Sequence, residues 1–391
     1  MSVEKNIQRL YIYRIFQSSM MFIPIYILFL IENGLSITQA LFLVGYFAFM
    51  TVLLEVPSGV FADKFGRKNA IFFSSLFVFL GTLLFAVGKD FIVFLAAETI
   101  FSFSMALWSG TDSAFIYDTL KVLNRKKEFR RIYGNMGFIT FTMFGISGLI
   151  GSYFADINLR LVMWVSLIPL GIAVFIPLTF TEPRFSKKVE FKYWGHIKEA
   201  FTYAASHKQI RFFILFFMVI FGVSEGLWLL NQPYFAFVGL QVKFFGFVYF
   251  FIFITTAIAS KFAYKIEHKL GIKNTMYFMT MILLIVYFLM GYFPAILMVF
   301  LPVLSSFVFG MQFPIIDGYI NKNVESHHRA TMISLKNLSG KLMFSMLAPL
   351  LGWIADIWSI TTAFLLSSFI LLIDLMVLFY IFQIKKSEVL K

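Results

Sequence analysis

Four carboxylates and two bases sit in stretches of this chain that are otherwise apolar: Glu98, Asp112, Glu225, Asp317, Arg14 and Lys341. Glu98, Ser102, Ser109 and Asp112 recur at i, i+4, i+11 and i+14, which gives one polar stripe if the segment is a continuous helix. Glu225, Trp228 and Gln232 recur at i, i+3 and i+7, with Asn231 beside them. Ser306, Gly310 and Asp317 share a later segment, Asn337, Lys341 and Ser345 the next, and Arg14 and Gln17 lie near the start. An ionisable group among apolar residues is costly unless it faces protein or water, so such groups mark places where cargo or protons are handled. A carboxylate there can take up and return a proton during a cycle, which makes Glu98 and Glu225 the leading coupling candidates. The competing reading for each is a hydrogen-bonded carboxyl that joins helices. Trp108 and Trp228 are of the type that stacks on a cation.

The elements that carry these residues follow from composition. Of 391 residues, 60% are hydrophobic and 14% charged, where a soluble domain is about half apolar and a quarter charged. At about 20 apolar residues per crossing, the chain holds enough for a dozen spans. Apolar runs separated by short polar breaks predict helices near residues 10–32, 38–62, 69–88, 91–119, 132–155, 160–180, 212–238, 243–264, 274–293, 295–320, 331–355 and 360–383. The expected fold is thus an all-α integral membrane protein of twelve transmembrane helices. Residues 1–180 form an N-terminal six-helix bundle, 181–211 a cytoplasmic linker, and 212–391 a C-terminal six-helix bundle. In the linker, Trp194, Ile197, Phe201, Ala204 and Ala205 recur at three-and-four spacing, as in an amphipathic helix lying in the membrane interface. The first residues, 1–9, are polar and are followed by a full-length apolar run with no small-residue cleavage site, which argues against a cleavable signal.

With alternate loops on alternate sides, Lys89, Arg160 and Lys243 are the loop bases of one side, and every other loop Lys and Arg falls on the opposite one. The positive-inside rule then places both termini in the cytoplasm of a multi-pass cell-membrane protein, in the plasma or bacterial inner membrane. The net charge of +13 reflects this loop asymmetry and the anionic inner leaflet, so no nucleic-acid partner is implied. The absence of cysteine excludes disulfides, thiolate metal sites and cysteine nucleophiles. All five histidines fall in predicted loops, and neither a metal nor a cofactor is expected. Ser339, Gly340, Lys341 and Leu342 lack the first glycine and the final Ser or Thr of a phosphate-binding loop, so this is no ATP-driven pump. Nothing here describes an enzyme.

The most specific pattern follows the second span: Gly59, Asp63, Gly66, Arg67 and Lys68, at the spacing of a glycine-anchored acidic and basic turn. A weaker copy follows the eighth, where Gly271, Lys273 and Asn274 stand as Gly66, Lys68 and Asn69 do, with His268 in the place of Asp63. The halves also echo each other, since Gly148-Leu-Ile-Gly151 followed by Ala155, Asp156 and Ile157 is similar to Pro349-Leu-Leu-Gly352 followed by Ala355, Asp356 and Ile357. The turn resembles the signature loop of the major facilitator superfamily, and the resemblance extends over the chain to Arg329, Ala330 and Thr331 at the start of the eleventh span. It implies two pseudo-symmetric six-helix bundles, a cavity lined by the first, fourth, seventh and tenth helices, and transport by alternating access. It also implies that Asp63, Arg67 and Lys68 act as gate residues at the cytoplasmic ends, with Glu55 part of the same network; Gly59 is expected to let the second helix approach a neighbour closely and Gly66 to permit the tight turn. Arg14 paired with Asp118 or Asp112 would be a gate element or a structural bridge.

At 1.5 Å per residue, Glu98 lies about 12 Å from the outer surface and Glu225 about 20 Å from the inner one, both near mid-membrane. The candidate cargo or proton cavity is therefore Glu98, Ser102, Asp112, Glu225, Trp228, Gln232, Asp317 and Lys341, with Lys341 a counter-charge or a partner of Asp317 or Asp374. The expected function is secondary transport of a small-molecule substrate, coupled to protons, with efflux of an amphipathic or cationic compound favoured because acids outnumber bases. Uptake of a nutrient, or a receptor or scaffold role on the same fold, is the alternative. Drug antiporters of the resembled family often carry an arginine in the fourth helix and a glycine–proline pair in the fifth. Here Glu98 stands near the place of that arginine, and Gly145, Gly148 and Gly151 come without the proline. With no large soluble region, the protein is expected to be a monomer in the lipid bilayer.

Overall fold

The computed structural model describes residues 3–183, 202–204, 206–325 and 328–384. The interfacial helix expected at Trp194, Ile197, Phe201, Ala204 and Ala205 lies outside the described residues except at Ala204. Among the described residues the structure is helical, with no strand. The helices are α1 (Asn6–Gln17), α2 (Tyr26–Glu32), α3 (Ile37–Phe65), α4 (Arg67–Val87), α5 (Phe91–Trp108), α6 (Thr111–Val122), α7 (Phe129–Ile157), α8 (Leu159–Phe175), α9 (Lys208–Phe237), α10 (Phe245–Tyr292), α11 (Leu301–Asn323), α12 (Arg329–Ile357) and α13 (Ile360–Phe379).

Among the described residues, ten helical stretches are long and apolar enough to cross a membrane, and a shorter apolar helix covers Ile23–Glu32. One of the ten, α10, contains two crossings joined at Gly271, whose φ of +74° is open to glycine and strained for other residues. With α1 and α2 forming another crossing, the chain is an all-α integral membrane protein of twelve transmembrane helices in two six-helix bundles. Large apolar side chains face outward, among them Val60, Phe138, Ile168, Phe175 and Met346, as lipid requires.

Two predicted helices are broken. The first, expected over 10–32, stops at Gln17 and resumes through a short turn at Ile23–Ile25. Pro24 supplies no amide hydrogen there, and the Ser19 hydroxyl donates to the Ile15 carbonyl at 2.8 Å, occupying the acceptor of the last turn. The fourth, expected over 91–119, divides at Ser109 and Gly110, where Gly110 takes the left-handed conformation with φ +77°. The polar stripe from Glu98 to Asp112 therefore does not run down one continuous helix.

The chain divides into two compact units: Met1–Leu35, Tyr46–Glu190 and Gln241–Phe250 in one, and Ser36–Gly45, Phe191–Leu240 and Phe251–Lys391 in the other. In the first unit, Leu10, Tyr13, Ile71, Phe115, Ile116, Ile132 and Phe180 build a buried core between α1, α4, α6 and α7. Helix ends are closed by side chains: Asp90 accepts from the amides of Ile92 and Val93, and Asn158 from those of Arg160 and Leu161. Arg160 then donates to the Ala86 and Gly88 carbonyls at 2.8 and 2.6 Å and to the Asn33 side chain. One guanidinium thus satisfies the backbone at the end of α4 and reaches the end of α2.

In the second unit small residues set the helix spacing. A Cβ on Gly310 of α11 would lie 2.3 Å from the Thr256 carbonyl oxygen of α10, and one on Gly222 of α9 would lie 2.7 Å from Met343 of α12. Close approach is how helices pack where lipid supplies no hydrophobic drive. The start of α3, which belongs to this unit, is capped by Asp356: its carboxylate accepts from the amides of Ile37 and Thr38 at 3.1 and 2.8 Å and from the Thr38 hydroxyl at 2.6 Å.

Candidate substrate and coupling sites

The second unit buries a complete lysine. Lys336, on α12, has no exposed side-chain surface, and its ammonium donates to Asp317 Oδ1 of α11 at 2.5 Å. The same ammonium lies 4.3 Å from the ring centre of Phe217 on α9 and 4.9 Å from that of Phe313 on α11. An apolar stem, one carboxylate and two ring faces offset the cost of burying the charge. The cage is held in shape by its neighbours. Phe217 stacks on Phe221 at 5.2 Å, both meet Phe313 edge-on, and Gly340 leaves room for the pair. A Cβ at Gly340 would stand 2.7 Å from the Phe217 ring.

Lys341 was expected as a counter-charge or as a partner of Asp317 or Asp374, and Lys336 was not among the expected site residues. Five residues of α-helix turn the chain through about 500°, so Lys336 and Lys341 point about 140° apart, and one helix can offer only one of them to Asp317. Lys341 is half-buried. The signal that could have found Lys336 was its position in the serine-rich start of an apolar helix, with Gly340 one turn beyond it.

Glu225, on α9 one turn beyond Phe221, is half-buried, and among the described residues it accepts no hydrogen bond and pairs with no cation. The Tyr287 phenol lies within reach of its charge. Trp228, one turn along the same face, is also half-buried, whereas Gln232 turns fully inside the unit. Gln312 of α11 was not foreseen at all. It is fully buried, and both atoms of its amide lack a hydrogen-bond partner, an arrangement that calls for a functional explanation.

In the first unit Arg14 donates through Nε to the Thr140 hydroxyl at 2.6 Å, and its guanidinium lies 4.8 Å from the Trp108 ring centre. Half-buried Asp112 is close enough for its charge to act on Arg14. Asp118 is taken by another residue: Arg67 of α4 pairs with its carboxylate and also donates to the Ala114 carbonyl at 2.6 Å. Six residues separate Asp112 from Asp118, about 240° of helix, so they cannot both face Arg14.

Glu98 and Ser102 turn into the unit. Glu98 is 5% exposed and accepts a hydrogen bond from the Tyr26 hydroxyl, with Phe85 packed edge-on against that tyrosine. The fully buried Ser102 hydroxyl lies 2.8 Å from the Glu98 carbonyl and 3.1 Å from the Phe47 carbonyl. The kink at Gly110 thus separates this buried pair from Asp112.

The signature turn is built around a residue the sequence reading passed over. Gly66 has φ +91°, and against it lies Glu182, whose carboxylate accepts from the amides of Arg67 at 2.9 Å and Lys68 at 2.8 Å. These are orphan donors at the start of α4, where the helix dipole also favours an anion. Lys68 donates to the Leu178 carbonyl at 2.8 Å. Asp63 is exposed and makes no hydrogen bond or ion pair among the described residues, and Gly59, expected at a close helix approach, instead faces open space, with nothing within 4 Å of where a Cβ would stand.

Known proteins share this fold. A family model described as Major Facilitator Superfamily matches residues 15–346 and 238–390. An uncharacterized MFS-type transporter of Bacillus subtilis, YxaM, is 22% identical over 94% of this chain and 93% of its own length. Multidrug resistance protein 1 of the same organism is 29% identical over 39% of this chain and 38% of its own. The quinolone resistance protein NorA of Staphylococcus aureus is 27% identical over 42% and 41%. The crystal structure of the nucleoside transporter NupG superimposes with a TM-score of 0.82 at 14% identity, covering 98% of this chain and all of that one. At that identity the likeness carries the fold, and the family match across nearly the whole sequence carries the relationship: the chain belongs to the Major Facilitator Superfamily and is a membrane transporter, not an enzyme.

Proposed function

We propose that this protein exports an amphipathic, cationic small molecule in exchange for protons, by alternating access. The observation that carries the reading is Glu225: a half-buried carboxylate with no partner among the described residues, set on one helix between Phe221 and Trp228. An unpaired acid among aromatic side chains suits a cation and a proton as alternative occupants. Partial relatives named for multidrug and quinolone resistance favour the same direction. Asp63, exposed beside a firmly anchored α4, is the gate residue, and both termini face the cytoplasm.

The test is transport by purified protein in liposomes loaded with ethidium. An imposed inward proton gradient is expected to drive ethidium out, and Glu225→Gln to make the residual flux independent of pH. Wild-type flux that ignores the gradient refutes proton coupling. A pH response that survives Glu225→Gln moves the proton to another acid.

A further inference from the structure

The Lys336 cage has the composition of an ammonium receptor, and the protein's own lysine fills it. Its recognition elements are one carboxylate oxygen at 2.5 Å and two ring faces at 4.3 and 4.9 Å. None of these is peculiar to a lysine side chain, and any ammonium on an apolar stem would find the same three. A lysine carries three donors, and among the described residues Lys336 places only one, on Asp317. The carboxylate is also reachable from a second side: the Asp317 side chain retains 31% of its exposure while that of Lys336 retains none. Phe217 is fixed by Phe221 and by the space over Gly340, so the rings are ordered before any cargo arrives.

We propose that Asp317, Phe217 and Phe313 form the recognition subsite for the cationic head of the cargo, and that Lys336 occupies it as a tethered competitor. The inference rests on the cation-transport reading given above. Its logic is that a carrier must release what it binds. A competing ammonium attached to the same helix bundle acts at high effective concentration, returns to the cage when the cargo leaves, and keeps affinity low enough for turnover. If Lys336 served only to join α11 and α12, removing its charge would leave Asp317 unpaired and lower stability, with no gain in affinity for an ammonium.

The experiment is calorimetric titration of purified full-length protein with phenethylammonium, with phenethyl alcohol as the uncharged control. Lys336→Met keeps the stem and removes the competing charge. It is expected to bind phenethylammonium at least tenfold more tightly than wild type, with the alcohol unchanged. Adding Phe217→Leu should reverse most of that gain, and Asp317→Asn should abolish it. Equal or weaker ammonium binding by Lys336→Met overturns the inference. Lys336→Gln is the second variant, and failure of both to fold also overturns it, because the lysine would then be holding helices together. If wild-type liposomes transport the ammonium but Lys336→Met shows no gain, the competitor inference fails alone. If neither wild type nor variant binds or moves it, the cation-transport reading fails as well.

Discussion

Replacing Glu182 tests how the signature turn is built. Its two oxygens accept from the Arg67 and Lys68 amides at 2.9 and 2.8 Å, the first donors of α4. Loss of a capping side chain costs about 0.5–2 kcal/mol, and loss of an anion at a helix N-terminus adds about 0.3–1 kcal/mol. Glu182→Ala should therefore destabilise the protein by about 1–3 kcal/mol, whereas Glu182→Gln, which keeps one acceptor oxygen and loses the charge, should cost about 1 kcal/mol. For a unit of this size, a change of 1 kcal/mol moves the midpoint by about 2–4 °C. Thermal unfolding in detergent, followed by tryptophan fluorescence, should show a drop of about 2–12 °C for the alanine variant and about 2–4 °C for glutamine. A shift below about 1 °C for Glu182→Ala refutes the argument. It would mean that Arg67 on Asp118 and Lys68 on the Leu178 carbonyl hold α4 without the cap.

Other substitutions probe the remaining assignments. Asp63→Asn should slow transport several-fold while leaving cargo affinity within a few-fold, since the carboxylate is exposed and belongs to the proposed gate; a large loss in a binding titration would count against that role. Gly310→Ala puts a Cβ 2.3 Å from the Thr256 carbonyl oxygen, a backbone atom that cannot swing aside. Overpacking of that kind costs about 1–3 kcal/mol, visible as a lower midpoint in the same thermal assay. Asp118→Asn removes the charged partner of Arg67 in a largely buried pair and should destabilise by about 1–3 kcal/mol; an unchanged midpoint would show the Ala114 carbonyl to be a sufficient partner. Trp108→Leu removes the ring under Arg14 and should cost about 0.5–2 kcal/mol of stability, visible in the same thermal assay.

The sequence was sufficient for the architecture because membrane crossing leaves few choices. A run of about 20 apolar residues must be a helix, since lipid offers its backbone no other hydrogen-bond partner. The same argument made Glu98, Glu225 and Asp317 conspicuous, because a charge in such a run stands out without any structure. The turn from Gly59 to Lys68 carried the family through its spacing alone. The breaks in the helices were less legible. Gly110 and Pro24 were visible as residues, but a glycine in an apolar helix can pack as well as bend, and neighbours decide which.

Tertiary structure decided which polar residues face one another. Periodicity places residues on a face of one helix and says nothing about what that face meets. Glu98 was found turned inward onto Tyr26, Asp118 engaged with Arg67 in place of Arg14, and Asp317 engaged with Lys336 in place of Lys341. Glu182, more than a hundred residues from Arg67 and Lys68, closes their helix, and no local pattern links such distant positions. Which stretches are helical and apolar is set by short-range composition, and so the sequence alone specified them, apart from the breaks near Pro24 and at Gly110. Pairing across helices depends on the rotation and depth of each helix against its neighbours, which only the packed structure fixes.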